Sequence, residues 1–222
     1  MMPRDRLTLE PAKTARRVIA AALCAVGMLM AGMAQAEVWN VDTLMQLLAQ
    51  TKSSRASFVE QKYLSAVEVP LESSGELLYL APDRLEKRTL KPRPESLVLD
   101  KEVLIFERQG RKRSLALQSY PQVGAFVESI RATLAGDRKA LDRNYRVELQ
   151  GKRERWQLLL YPLDAKAAQL VNQVRLSGQR DHVEVIEILQ GNGDRSVMEV
   201  TPQSGPAPVV GEASSPVAVA PN

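Results

Sequence analysis

The residues best suited to chemistry are few. The sole histidine, His182, stands between Asp181 and Val183. An imidazole can serve as a base or a metal ligand, but a metal site needs further ligands at workable spacing. The chain has no second histidine, and its one cysteine, Cys24, lies far off in an apolar N-terminal run. His182 therefore reads as a surface turn residue. Ser73-Ser74-Gly75 lacks the G-x-S-x-G frame that exposes a nucleophilic serine on a strand-to-helix elbow. Gly136-Asp137-Arg138 and Gly193-Asp194-Arg195 resemble each other, and each reads as a turn or cap beside a solvated arginine. Carboxylates are spread along charged faces, with no isolated apolar pair of the kind acid–base catalysis exploits. The expectation is a protein that is not an enzyme and uses neither metal nor cofactor.

One charge cluster stands out. Arg108, Arg111, Lys112 and Arg113 surround Gly110 at a predicted hairpin tip. Such a cluster is either a solvated loop or a docking patch for anionic headgroups or an acidic partner. The apolar residues are mostly Leu, Val and Ile, and aromatics make up only 5% of the chain. Flexible aliphatic walls suit acyl chains, although ordinary cores share this composition.

The ends carry targeting and linker signals. Arg4, Arg6, Lys13, Arg16 and Arg17 lead into the apolar run Val18–Met33, followed by Ala34-Gln35-Ala36. That order predicts a secretory signal cut after Ala36. A retained membrane anchor is disfavoured, because the run is short for a bilayer core of about 30 Å. Leu23 precedes Cys24 where a lipobox needs a small residue, so lipid attachment at Cys24 is not expected. Cleavage removes five basic and two acidic residues from totals of 30 and 26, leaving +1. Neither this balance nor any motif calls for a nucleic-acid partner. Residues 202–222 contain five prolines among Gly, Ala, Ser and Val, and read as a disordered tail. The globular domain is expected over 37–201, in an extracytoplasmic compartment, most simply the periplasm.

Alternating and helical periodicities place the remaining elements. Asn40 can cap a helix bearing Leu44, Leu47 and Leu48, ending near Lys52. Strands follow at 55–63, at 75–80 after the turn-prone Glu72-Ser73-Ser74-Gly75, at 83–90, at 96–99, at 103–107 and at 114–117. Ser119 can cap a helix with Pro121 in its first turn. Val123, Phe126, Val127, Ile130 and Leu134 form its apolar stripe, and Gly136 is its natural stop. A short helix over 137–143 comes next, then five more strands from Tyr145 to Thr201, with a helical turn near 164–169. The order predicts an α+β fold: about eleven antiparallel strands in an incomplete barrel, with a helical lid over an apolar cavity. A β-sandwich is the alternative.

Several strings then bring a family into view. Ala56-Ser57-Phe58-Val59-Glu60-Gln61 follows the Leu-rich helix, and Gly75-Glu76-Leu77-Leu78-Tyr79-Leu80-Ala81-Pro82-Asp83-Arg84-Leu85 follows that. With Glu95–Asp100, the mid-chain helix and the final Gly-Asn-Gly-Asp hairpin, the mature domain resembles the outer-membrane lipoprotein carriers, the LolA-like proteins. The resemblance implies a soluble, monomeric periplasmic carrier. It would take acyl chains of a lipoprotein or other lipid from an inner-membrane exporter and pass them to an outer-membrane acceptor. It further implies cavity contacts from Leu44, Leu48, Phe58, Leu77, Tyr79, Phe106, Phe126, Ile130, Leu134, Leu158 and Leu160. The typical carrier has an arginine, implicated in holding the closed lid, just before the proline of the second strand. Ala81 stands there in this chain, with Arg84 and Lys87 nearby. Those two, with Arg111 and Arg113, are the candidate lid or partner contacts. A periplasmic lipid sensor or scaffold regulating a membrane partner is the alternative role.

Overall fold

The computed structural model describes residues 38–203. The expected signal segment, and the tail beyond residue 203, lie outside them.

The first helix, α1 (Val41–Leu48), starts where expected. Asn40 Oδ1 accepts from the Thr43 backbone N–H, and Thr43 Oγ1 accepts from the Asn40 N–H, both at 2.9 Å. This reciprocal box satisfies two otherwise orphaned donors. The helix stops at Leu48, one turn earlier than the sequence suggested. Six strands follow: β1 (Ser53–Tyr63), β2 (Leu71–Leu80), β3 (Arg84–Lys91), β4 (Glu95–Asp100), β5 (Val103–Arg108) and β6 (Arg111–Ala116). A helical layer interrupts them, comprising α2 (Pro121–Ala135) and α3 (Arg138–Asn144). Then come β7 (Tyr145–Lys152), β8 (Arg155–Pro162), α4 (Ala165–Leu170), β9 (Val171–Gln179), β10 (His182–Gln190) and β11 (Arg195–Pro202).

All eleven strands form one antiparallel sheet in the order β6-β5-β4-β3-β2-β1-β11-β10-β9-β8-β7, which excludes the sandwich. The first and last strands pair at its centre, with Phe58 opposite Val200. The sheet is open, with β6 and β7 at its two edges, and helices pack on one face. This is the expected half-barrel.

Two local readings need correction. Glu72–Gly75 is strand, not turn: Ser73 and Ser74 pair with Glu60 and Val59. Gly75 is required because a Cβ there would lie 1.9 Å from the Arg88 carbonyl oxygen. Ser119 does not cap α2. It ends a short 3₁₀ turn (Leu117–Ser119), Tyr120 takes the cap position without a side-chain bond, and Pro121 opens the helix. The stop is as expected: Gly136 adopts φ 69°, and a Cβ there would sit 2.2 Å from the Met45 carbonyl oxygen. That contact brings the end of α2 against α1.

The helices fill only half of the concave face. Leu44, Met45, Leu48, Ala132, Ala140 and Leu141 pack against Tyr145, Trp156, Leu158, Leu160, Val174 and Leu176 of β7–β9. The opposite half, over β1–β5, has no such cover.

Candidate functional site

A cavity of about 990 Å³ lies over that half, between the sheet and one side of α2. Its floor follows from the sheet register, since residues directly opposite in an antiparallel ladder share a face. One row runs Tyr79–Leu85–Leu99–Leu104, and the next runs Ala56–Leu77–Lys87–Leu97. Met198 and Val200 of β11 and Ile186 and Ile188 of β10 extend the apolar floor across the centre. The roof is α2, which turns Phe126, Val127, Ile130 and Leu134 into the space.

The helix is held by a different face. Its most buried residues are Ser129, Ala132 and Thr133, facing the helical layer and core. Ser129 Oγ donates to the Phe126 carbonyl and Thr133 Oγ1 to the Ser129 carbonyl, each at 2.7 Å, so neither hydroxyl is left unsatisfied. Small residues bring the helix close to its neighbours, while the bulky stripe lines the cavity, with Phe126 and Ile130 also packed against the edge of the core. Toward the sheet, Arg131 Nη1 donates to Asp83 Oδ1 at 2.6 Å, while Glu128 grips the same guanidinium from within the helix.

One polar group is set into the cavity wall. Glu60 is only 3% exposed, yet it lines the space. Lys87 Nζ donates to its Oε2 at 2.5 Å, Ser196 Oγ donates to its Oε1 at 2.6 Å, and Lys62 Nζ lies 3.8 Å away. Burial alone would raise the Glu60 pKa. The charge and hydrogen bond of Lys87, with help from Ser196 and Lys62, outweigh burial and hold it below the ordinary value. Lys87 also stands 4.8 Å above the Phe58 ring. The Tyr79 hydroxyl, buried in the same wall, has no hydrogen-bond partner within the described residues.

The expected cavity residues fall into three groups. Leu48, Leu77, Tyr79, Phe126, Ile130 and Leu134 line the space. Leu44, Leu158 and Leu160 do not: the two strand residues lie on the concave face, but the helical layer seals them into a core where all three are 0% exposed. Phe58 is buried beneath Lys87 rather than open to the cavity. Phe106 stands opposite Leu97 on the concave face, but further out and 37% exposed.

The expected lid contacts are also redistributed. Arg84 bonds Asp100 at 3.1 Å on the neighbouring strand, and Lys87 bonds Glu60, so neither of these bonds reaches α2. Arg111 and Arg113 are exposed on edge strand β6. The helix is instead tied to the core by the Tyr145 hydroxyl, which donates to the Ala125 carbonyl at 3.2 Å, and to the sheet by Arg131 and Asp83, two residues after Ala81. Nothing local in the sequence pairs these two. Glu60 was more legible, since Ala56, Phe58 and Glu60 alternate on one face of β1 and mark the carboxylate as inward. His182 opens β10 at the cavity rim, its Nε2 3.5 Å from Asp181.

Among the described residues no helix is long and apolar enough to cross a membrane. The sequence matches the outer membrane lipoprotein carrier protein LolA-like family over residues 33–218. The chain belongs to that family. A comparison with curated proteins gives no match. Among solved structures, the chain is similar to a LolA superfamily protein from Nitrosomonas europaea at 10% identity, covering 76% of this chain and 96% of that one, with a TM-score of 0.43. It is also similar to MucB at 16% identity, covering 79% and 62%, with a TM-score of 0.44. A third similar structure is a putative outer membrane lipoprotein-sorting protein domain from Vibrio parahaemolyticus, at 11% identity, 75% and 94% coverage and a TM-score of 0.38. At such distances the family assignment rests on the sequence match.

Proposed function

We propose that this LolA-like protein is a periplasmic carrier that shelters acyl chains of a lipoprotein or other lipid between inner and outer membranes. The observation that carries this reading is the apolar cavity of about 990 Å³ between the β1–β5 floor and the bulky stripe of α2. Its volume is at the upper end of the ~300–1,000 Å³ range of ligand sites, and its walls are dominated by aliphatic side chains. Aliphatic walls of this extent offer an acyl chain the close contacts that neighbouring side chains provide in a core.

The helix α2 fits the role of a cover. Its anchoring face rests on neighbouring helices, and toward the β2–β3 turn it is tied by the Arg131–Asp83 ion pair. Breaking that pair removes the tie to the sheet and loosens the stripe Phe126–Ile130–Leu134 over the cavity, while Ser129, Ala132 and Thr133 stay seated. The expected signal segment supports export with cleavage after Ala36. The remaining domain would act as a single chain, loaded by an inner-membrane exporter and emptied by an outer-membrane acceptor. It carries out no reaction, and needs no cofactor.

The test is to purify the protein gently from its native envelope and identify co-purifying molecules by native mass spectrometry. Release of an acylated molecule in about equimolar amount is the expected result. Recovery of ligand-free protein from cells rich in envelope lipids, with no uptake of added acyl chains, would overturn it.

A further inference from the structure

The cavity is not uniformly apolar. Its polar end lies where β1 and β3 approach, around Glu60, Lys62, Lys87 and Ser196. Two ammonium groups there face one carboxylate. A buried ion pair is weak as a stabilising device, because desolvation offsets most of the attraction and an apolar pair of similar volume serves stability as well or better. A structural role alone thus gives little reason for a second cation at Lys62, or for placing the pair against open space.

The register extends this charge outward. The row Lys87–Leu97–Phe106 ends on Arg113, and the neighbouring row Gly75–Thr89–Glu95–Arg108 ends on Arg111. These arginines sit on the concave side because the β5–β6 hairpin turns tightly through Gln109 and Gly110, with φ 52° and 71°. Glu95 is engaged by Arg108 at 3.0 Å. On this end of the concave face, five cations therefore stand against two carboxylates. The stretch between Leu77, Leu99, Leu104 and the α2 stripe is aliphatic, with Lys52 and Arg55 at the rim beyond Tyr79. The face has the polarity of an amphiphile with a negative head.

We infer that the cargo is an acyl lipid with an anionic head group, its chain under α2 and its head at Lys87 and Lys62. This rests on the acyl-binding role proposed above and narrows it. Lys87 is the main contact: its ammonium is already aimed at the cavity wall, and a phosphate or carboxylate oxygen can share it with Glu60. Arg113 and Arg111 lie about 14 Å further along the sheet, three strand spacings away, too far to hold the same head group. They make a positive rim that draws an anionic lipid toward the opening.

The experiment measures displacement of the neutral fluorophore N-phenylnaphthylamine from the purified protein by three amphiphiles of equal chain length. These are decyl phosphate, decanoate and the uncharged decyl maltoside. The anionic pair should bind about tenfold more tightly than the neutral one, a margin that shrinks with added salt. The double substitution Glu60→Gln with Lys87→Met removes the charges together and leaves no lone buried ion, so the fold survives. It should abolish most of that preference, read as the ratio of anionic to decyl maltoside affinity. The exposed substitution Arg113→Gln should slow capture of the anionic ligands only, and the relative affinities of phosphate and carboxylate distinguish the two kinds of head group. Equal binding of charged and neutral chains by the wild type, or an unchanged preference in the double variant, would overturn the inference and leave the acyl-binding role standing. Failure of all three amphiphiles to displace the probe would sink both.

Discussion

Arg131 on α2 reaches across to Asp83 on the β2–β3 turn, with Nη1 2.6 Å from Oδ1. The typical lipoprotein carrier, by resemblance, has an arginine on that turn, just before the proline, and Arg84, Lys87, Arg111 and Arg113 were the expected lid or partner contacts here. In this chain Ala81 stands before the proline, and the ion pair has the opposite polarity, with the cation on the helix and the anion on the turn. A half-exposed pair contributes little to folding, about 1 kcal/mol or less. Asp83→Asn should therefore hardly change the thermal midpoint. Release of a bound acyl probe, followed by stopped-flow fluorescence, should quicken several-fold. An unchanged release rate would show that the pair does not restrain the helix.

Glu60 predicts an acid response. Its folded pKa is lowered from the ordinary 4.5, so its contribution is fully present above that value. That contribution is lost as pH falls below 4.5 through the lowered folded value. Glu60→Gln should cost about 2–4 kcal/mol at neutral pH, because it leaves Lys87 without its counter-ion. The gap between wild type and variant should narrow on acidification below pH ~4.5. Parallel stability curves down to the acid transition would contradict this assignment.

The ends of the chain give a third prediction. Protein recovered from the periplasm should begin at Glu37 and lack Cys24, as N-terminal sequencing would read. The strand β11 runs to Pro202, and the Gln203 N–H donates to the Arg55 carbonyl at 2.9 Å. The domain thus extends slightly past the boundary expected at residue 201. Deleting residues 204–222, rich in Pro, Ala and Ser, should move the thermal midpoint by no more than about 2 °C. A fall of many degrees would mean that this segment docks on the domain.

Much of the fold was legible because its periodicities are local. The alternation at Tyr145, Val147 and Leu149 and the stripe from Val123 to Leu134 mark elements whatever surrounds them. The segment Glu72–Gly75 misled because its turn-like composition serves tertiary needs: Ser73 Oγ lies 3.4 Å from Glu60 Oε2, and Gly75 admits the Arg88 carbonyl. The site was legible only in part. Alternation put Leu158 and Leu160 on the concave face, but only the docking of α1 and α3 decides that they are sealed core. Ile186, Ile188 and Met198 were missed for the complementary reason, since nothing in their strands shows that the helices stop short of them. The Arg131–Asp83 pair spans 48 residues, a separation no sequence pattern bridges.

The central claim is that the α2 stripe encloses a guest chain and is not simply core. Ile130 lines the cavity and is only half-buried, and α2 is anchored by Ser129, Ala132 and Thr133 instead. In a sealed core, a lone carboxylate at this position would cost several kcal/mol and unfold the domain. At a cover that can lift, it can remain hydrated. The decisive measurement is binding of a fluorescent acyl probe to Ile130→Glu, beside its thermal unfolding curve. We predict a cooperative transition within a few degrees of wild type, with probe affinity reduced at least about tenfold. A stable variant that binds the probe as tightly as wild type would contradict the claim, and so would a variant that no longer folds.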